Sequence, residues 1–237
     1  MAAAAELKLP ALERLPKETT NQWVYRSLRQ AVMLGMVAPG RPVTIRDVAN
    51  ILEVSTTPVR EALRRLASEQ ALEERDNRRI LVPNMTAARF RELCELRIAL
   101  ECHAAERAMP YMHGQKLDEL AAIDKRLDAA SDSGDREQTI ALNQKFHRFI
   151  YEANPNQTVM PLVESVWLQL GPFVRLALSR LKDFYQVDRH FEAMAALRRQ
   201  DPLGLRIAME ADIRDALTHV GTNELLKAYV ESPESVG

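Results

Sequence analysis

Several polar and ionisable side chains fall where the hydrophobic periodicity of this 237-residue chain calls for apolar ones. Asn143 and His147 stand one helical turn apart, on a face shared with Phe146 and Ile150. His190 lies on a stripe with Val187, Met194 and Leu197, and Asp212 on one with Leu205, Ala208, Met209 and Ala216. Arg97 falls between Leu93 and Leu100. A buried ionisable group is costly unless it is paired or bound to a metal, and several converging in one bundle would make a site. Taken singly, each reads first as a core histidine with its hydrogen bonds met, or as part of a buried Arg–Asp pair. Stripe position alone does not make them meet.

A second chemistry is carried by Val54–Leu66, VSTTPVREALRRL. Val59, Ala62, Leu63 and Leu66 repeat as a buried helical stripe. Thr57, Arg60 and Arg64 occupy the opposite face, and a hydroxyl with two guanidinium groups suits phosphate oxygens and base edges. Ser55 is a good N-cap, and Pro58 falls in the first turn, where its missing N–H removes no intrahelical bond. An ordinary solvated face would look similar, so the neighbouring elements decide.

The composition is 46% hydrophobic and 27% charged, ordinary for a globular chain long enough for one large domain or two smaller ones. Net charge is −1, but residues 21–82 carry ten Arg, no Lys and seven acidic residues, a net of +3 that leaves −4 elsewhere. A basic N-terminal third on an acidic remainder fits a binding head on a separate body. Cys94 and Cys102, if on one helix, are about 12 Å apart along its axis, too far for a disulfide. No C-x-x-C pair suggests zinc-knuckle or redox chemistry. Met1–Ala5 is interrupted by Glu6 and Lys8 before it can read as a signal peptide, and no apolar run reaches membrane-spanning length, so a cytoplasmic protein is expected.

The elements that must position these groups follow in order. Residues 1–18 are expected to be a flexible arm. Thr20 can cap a helix to about Leu34, stopped by Gly35, and Pro39-Gly40 makes a turn. Thr44, with Asp47 three residues on, opens a second helix whose apolar face is Ile45, Val48, Ala49 and Leu52. Glu53-Val54 turn into the helix beginning after Ser55, which gives helix-turn-helix spacing. Ala71–Arg75 and Arg78–Val82 read as a hairpin about Asp76-Asn77, with Arg75, Arg78 and Arg79 at its tip. A basic hairpin directly after a helix-turn-helix is a wing that can reach phosphate or the minor groove. From Thr86 onward the pattern is all helix, over about 86–112, 115–132, 135–153, 157–181, 184–200 and 202–228, with Gly171-Pro172 expected to kink the fourth. The fold class is therefore mainly α: a winged helix-turn-helix (residues 19–83) followed by an all-α bundle of six or seven helices (84–230) and a short tail (231–237).

The run Thr57-Pro58-Val59-Arg60-Glu61-Ala62-Leu63, with Pro39-Gly40, Val54-Ser55 and Asn77-Arg78, resembles the winged helix-turn-helix of GntR-family bacterial transcription regulators. The resemblance implies contacts to double-stranded DNA from Arg46, Ser55, Thr57 and Arg60, and from the wing at Asn77 and Arg78; Arg64 joins them from its place on the exposed face. Thr56 stands where many relatives have Arg, and Arg78 where many have Gly, so the operator sequence is not borrowed. Residues 85–228 look like the effector-binding and dimerisation domain of the FadR-type subgroup, the FCD domain, through Arg97-x-x-Leu100-Glu101, Asn143-x-x-x-His147 and His190. Metal-binding members use an Asp, a His four residues later and two further His. At those positions this chain has Asn143, His147, His190 and Asp212, which still offer two imidazoles, a carboxylate and an amide oxygen for a divalent ion such as Zn, Ni or Mn. The resemblance further implies a small carboxylate effector in the same cavity, contacted by Arg97, Asn143, His147 and His190. His103, His113 and His219 read as structural or surface residues.

These features point to a homodimeric, ligand-responsive regulator on a palindromic operator, a repressor rather than an enzyme. The rival readings are a metal-dependent hydrolase built on His147, His190 and Asp212, and a constitutive DNA-binding dimer with a purely structural bundle. No general base stands out beside those three residues, and a hydrolase would leave the DNA-binding head unexplained.

Overall fold

The computed structural model describes residue 7 and residues 9–39, 42–75, 79–178 and 188–217, which fall into two compact units. Among the described residues, the first comprises those to Thr86 together with Trp167–Phe173, and the second comprises Ala87–Val166 and those between Val174 and Leu217.

In the first unit, α1 (Thr20–Met33) begins one residue earlier than Thr20 capping would give. Thr19 is the N-cap, its hydroxyl accepting from the Gln22 N–H while the Gln22 side chain accepts from the Thr19 N–H, a reciprocal capping box. Thr20 has no such partner three residues on, because position 23 is Trp. In α2 (Ile45–Ile51) the Thr44 hydroxyl accepts from the Asp47 N–H, as its spacing predicts. Glu53 takes a left-handed φ of 53°, and the Val54 N–H closes the turn on the Ala49 carbonyl, which sends the chain into α3 (Thr56–Ser68). Val24, Leu28, Val48, Val59, Leu63 and Leu66 meet in the core, so the apolar stripes read from sequence are the faces that pack.

Two expectations for this unit change. The hairpin pairs β1 (Glu73–Arg75) with β2 (Arg79–Leu81), with Arg75 opposite Arg79, so three residues separate the strands rather than two. This register turns Ile80 inward, and Val43 bridges to it from the segment before α2. Within the segment expected to be a flexible arm, residues 12–18 are held against α1. The Trp23 indole donates to the Leu12 carbonyl at 2.7 Å, and Arg14 lies over the Trp23 ring. Arg26 donates to the Glu13 carbonyl and the Glu18 carboxylate.

The second unit contains α4 (Ala87–Ala108), extended by a 3-10 turn at Met109–Tyr111, then α5 (Gln115–Ser133), α6 (Arg136–Tyr151), the two ends of α7 (Met160–Leu178), α8 (Arg189–Arg199) and α9 (Pro202–Leu217). Gly134 ends α5 in the left-handed conformation, and Asp135 and Asp188 cap α6 and α8 with their carboxylates. α5 packs on α6, and α4 and α8 pack on α9. Pro172 lies inside α7, where it cannot donate to the Leu168 carbonyl. The stretch of α7 assigned to the first unit meets the end of α1 so closely that a Cβ on Gly171 would lie 2.5 Å from the Val32 carbonyl oxygen.

Candidate functional site

α6, α8 and α9 each bring one ionisable side chain from their buried faces to a common point. His147, His190 and Asp212 are 0%, 5% and 6% exposed, and one ligand atom from each lies within 4.8 Å of the others. His147 Nε2 is 3.2 Å from Asp212 Oδ2, and His190 Nε2 is 3.7 Å from Asp212 Oδ1. Phe146 forms one wall, its ring stacked on His190 with centroids 3.9 Å apart, and the two imidazoles meet edge to face. The stripe positions named three of these residues; the packing of three helices supplies the convergence that the stripes could not.

The other nitrogen of each imidazole is held from outside the trio. His190 Nδ1 is 2.8 Å from Oδ1 of Asp124, on α5. His147 Nδ1 is 3.2 Å from the Tyr151 hydroxyl, which donates to Glu101 Oε2 at 2.8 Å, and Glu101 in turn accepts from Arg97 Nε. A carboxylate only accepts, so His190 Nδ1 carries a proton and Nε2 presents a lone pair when the ring is neutral. Both Nε2 atoms are buried without a hydrogen bond of good geometry, although each faces a carboxylate oxygen. Two imidazole nitrogens facing one carboxylate require a cation among them, either a proton or a metal ion. Metal bonds of about 2.0–2.2 Å place neighbouring ligand atoms about 3–3.5 Å apart, near the 3.2 and 3.7 Å that separate the two imidazoles from Asp212, within a trio that spans at most 4.8 Å. Imidazoles buttressed through Nδ1 with Nε2 turned inward are the usual outer support of a metal site. The residues present therefore fit a divalent ion.

The electrostatics agree. Burial alone would raise the Asp212 pKa, but His147, His190 and Arg97 outweigh it and hold the carboxyl well below the usual carboxylate range. Burial opposes protonation of His190, yet Asp124 and Asp212 overcome it and the pKa is raised. Burial and the neighbouring Glu101 push the Tyr151 hydroxyl well above 10, so it remains an O–H.

Asn143 is half-buried, one turn before His147 on the same helix. Arg97 is buried and paired with Glu101 on its own helix, rather than with an aspartate. Asp124, Glu101 and Tyr151 were not anticipated as parts of the site. His103 and His113 are exposed; His219 lies outside the described residues.

In the first unit, Arg46, Ser55, Thr57, Arg60 and Arg64 are all exposed. Ser55 has the backbone conformation of an N-cap but its hydroxyl makes no capping bond, contrary to expectation. Arg65, adjacent to Arg64, is committed within the fold: its guanidinium lies 3.8 Å from the centre of the Tyr25 ring and pairs with Glu69. Glu61 accepts from the Asn21 amide of α1. Asn77 and Arg78, the wing contacts, lie outside the described residues.

Comparison with known proteins agrees with both halves. Residues 20–82 match the family model for bacterial regulatory proteins of the gntR family, and residues 92–215 match that for the FCD domain. The HTH-type transcriptional regulator McbR of Escherichia coli (strain K12) is 27% identical over 201 residues, covering 84% of this chain and 91% of McbR. Its solved structure aligns with a TM-score of 0.78 over 86% of this chain and 97% of that one. The gluconate operon transcriptional repressor of Bacillus subtilis (strain 168) is 25% identical, covering 85% of this chain and 84% of the repressor. A GntR structure from Rhodococcus sp. RHA1, 23% identical, shares the fold with a TM-score of 0.69 over 84% of this chain and 96% of that one. No described helix is long and apolar enough to cross a membrane. A helix-turn-helix with an outward basic face, joined to a helical unit whose family model covers about half the sequence, leaves one assignment: the chain belongs to the GntR family of bacterial regulatory proteins, and is a DNA-binding transcription regulator with an FCD domain, not an enzyme.

Proposed function

We propose that this regulator is a repressor that binds a palindromic operator as a homodimer and responds to a small carboxylate held in the helical unit with the help of a divalent ion. The observation that carries the metal-assisted reading is the pair of buried Nε2 atoms, on His147 and His190, facing Asp212 without hydrogen-bond partners. His147, His190 and Asp212 would hold the ion, with Asn143 as the further candidate. Zinc, nickel and manganese all accept two imidazoles and a carboxylate. Such an ion keeps open positions for a carboxylate oxygen of the effector. The name of the B. subtilis relative, a repressor of a gluconate operon, supports both repression and an organic-acid signal.

On this reading the DNA-binding domain spans residues 19–83 and the effector and dimerisation domain residues 84–230. Arg46, Ser55, Thr57, Arg60 and Arg64, with Asn77 and Arg78 on the wing, contact the operator. Two heads related by a two-fold axis read two half-sites. An effector shifts DNA affinity only by as much as it favours one arrangement of the dimer over another.

The test is metal content per chain, on protein purified without a histidine tag, for wild type and His147→Ala. Near-stoichiometric zinc, nickel or manganese in wild type and none in the variant is the expected result. Wild type that retains no metal after incubation with each of the three ions overturns the metal-assisted reading. Affinity for the promoter of its own gene no greater than for random duplex, across salt concentrations, overturns the operator reading.

A further inference from the structure

We infer that Arg97, Glu101 and Tyr151 form a relay that sets which ring nitrogen of His147 carries the proton, and so makes His147 Nε2 a lone pair facing Asp212. The relay rests on reading His147, His190 and Asp212 as a cation site, but it is visible in the metal-free protein. It gives Arg97, which the resemblance places against the effector, a supporting role toward His147.

Donor counting fixes the proton. Arg97 Nε is always a donor, and it bonds Glu101 Oε1. Glu101 Oε2 accepts from the Tyr151 hydroxyl at 2.8 Å. A phenol has one proton, and it is spent on Glu101. The Tyr151 oxygen can then only accept from His147 Nδ1, 3.2 Å away. His147 Nδ1 is thereby obliged to donate, and the neutral ring keeps no proton for Nε2. All four side chains are buried, so water does not relax the constraint. His190 reaches the same tautomer in a single step through Asp124. His147 depends on three residues, and its polarity can therefore be inverted two residues away from the ring. Tyr151, Glu101 and Arg97 are positioning residues: none belongs to the trio that faces the cation.

Glu101→Gln is the inverting change. Arg97 Nε demands an acceptor, so the amide oxygen takes the Oε1 place and the NH2 group falls opposite Tyr151. The amide donates to the phenol oxygen, and the phenol proton turns to His147 Nδ1. The ring's proton then moves to Nε2, where it points at Asp212 and occupies the position of a metal. Tyr151→Phe removes the relay's last member and leaves Glu101 on Arg97.

The experiment uses the full-length 15N-labelled protein. Histidine 15N shifts in chelator-treated samples report the protonation of His147 Nδ1, and competition against a chromophoric chelator gives the Kd for zinc. The expected result is a protonated Nδ1 in wild type and an unprotonated Nδ1 with a protonated Nε2 in Glu101→Gln. Zinc affinity should fall by about 10- to 100-fold or more in both variants, the usual cost of losing an outer-shell partner. A His147 Nδ1 that stays protonated in Glu101→Gln overturns the relay. So does a wild-type zinc Kd in Tyr151→Phe, which also decides the matter if Glu101→Gln does not fold. Should wild type bind no zinc while the tautomer still inverts, the cation reading falls and the relay stands.

Discussion

Gly171→Ala should destabilise the protein although alanine is the better helix former. Gly171 lies within α7, and its ideal Cβ would be 2.5 Å from the Val32 carbonyl oxygen, 2.7 Å from Met33 Cα and 2.9 Å from the Met33 carbonyl oxygen. All three neighbours are backbone, so no side chain can swing aside. The end of α1 must move by about 0.5 Å merely to reach the closest approach that real Cβ atoms make. Replacing glycine in a helix gains about 1 kcal/mol, while overpacking a rigid contact costs about 1–3 kcal/mol and here belongs at the upper end. The net is a loss of about 1–2 kcal/mol, or about 2–8 °C in Tm for a chain of this size. Gly204→Ala is the control. Its Cβ would meet only the Asp201 side chain, which can rotate away, so the lost bond from the Gly204 N–H to Asp201 and the gain in helix propensity should nearly cancel. Thermal denaturation of the two variants beside wild type checks this. A Gly171→Ala protein that melts at or above wild type refutes the steric argument.

Asp212→Asn should abolish stabilisation by zinc. A ligand at 100 times its Kd stabilises by about 2.7 kcal/mol, so wild type should gain about 5–10 °C in Tm and the variant nearly nothing, in scans with zinc and with chelator. Zinc affinity should also depend on pH, because His190 must lose the proton that Asp124 and Asp212 help it hold. In metal-free protein the raised pKa stabilises fully below the unfolded value near 6.5, and that contribution is lost as pH rises through the higher folded value. The zinc-induced rise in Tm should accordingly be larger at pH 8.5 than at pH 6; equal rises would refute the assignment. Arg60→Ala and Arg64→Ala should each weaken operator binding and reduce the salt slope by about 1 without changing Tm. Arg65→Ala should lower Tm instead, through its lost contacts with Tyr25 and Glu69.

The three helices of the DNA-binding head were legible in the sequence, because each carries a clean apolar stripe behind a Thr or Ser at its N-terminus, although the Ser55 hydroxyl makes no capping bond. What escaped was local or long-range. Thr19 wins over Thr20 because only it has Gln22 three residues on. The register pairs Arg75 with Arg79 and buries Ile80, and Val43 pairs with Ile80 across 37 residues of chain, which periodicity does not see. In the bundle, polar residues on apolar stripes pointed to His147, His190 and Asp212, but meeting requires tertiary packing. The same criterion would have found Asp124, which sits among Leu120, Ile123 and Leu127 on the buried face of α5. Glu101 and Tyr151 carry a weaker signal: each lies four residues beyond a named residue, Arg97 and His147, and so one turn along the same face. The pairing of Arg97 with Glu101 one turn away follows from their i, i+4 spacing, which the stripe reading of Arg97 does not use.

The near-complete burial of His147, His190 and Asp212 bears on timing as well as affinity. An ion seated among them would exchange, and a molecule would reach its open positions, only as α6, α8 or α9 moves aside, so both would be governed by the breathing of the helical unit. Such an ion would outlast many encounters with DNA, and momentary changes in free metal would pass unregistered. The regulator would carry the ion as a fixed part of its equipment, and its responsiveness would lie in the molecules that come to the open positions around it.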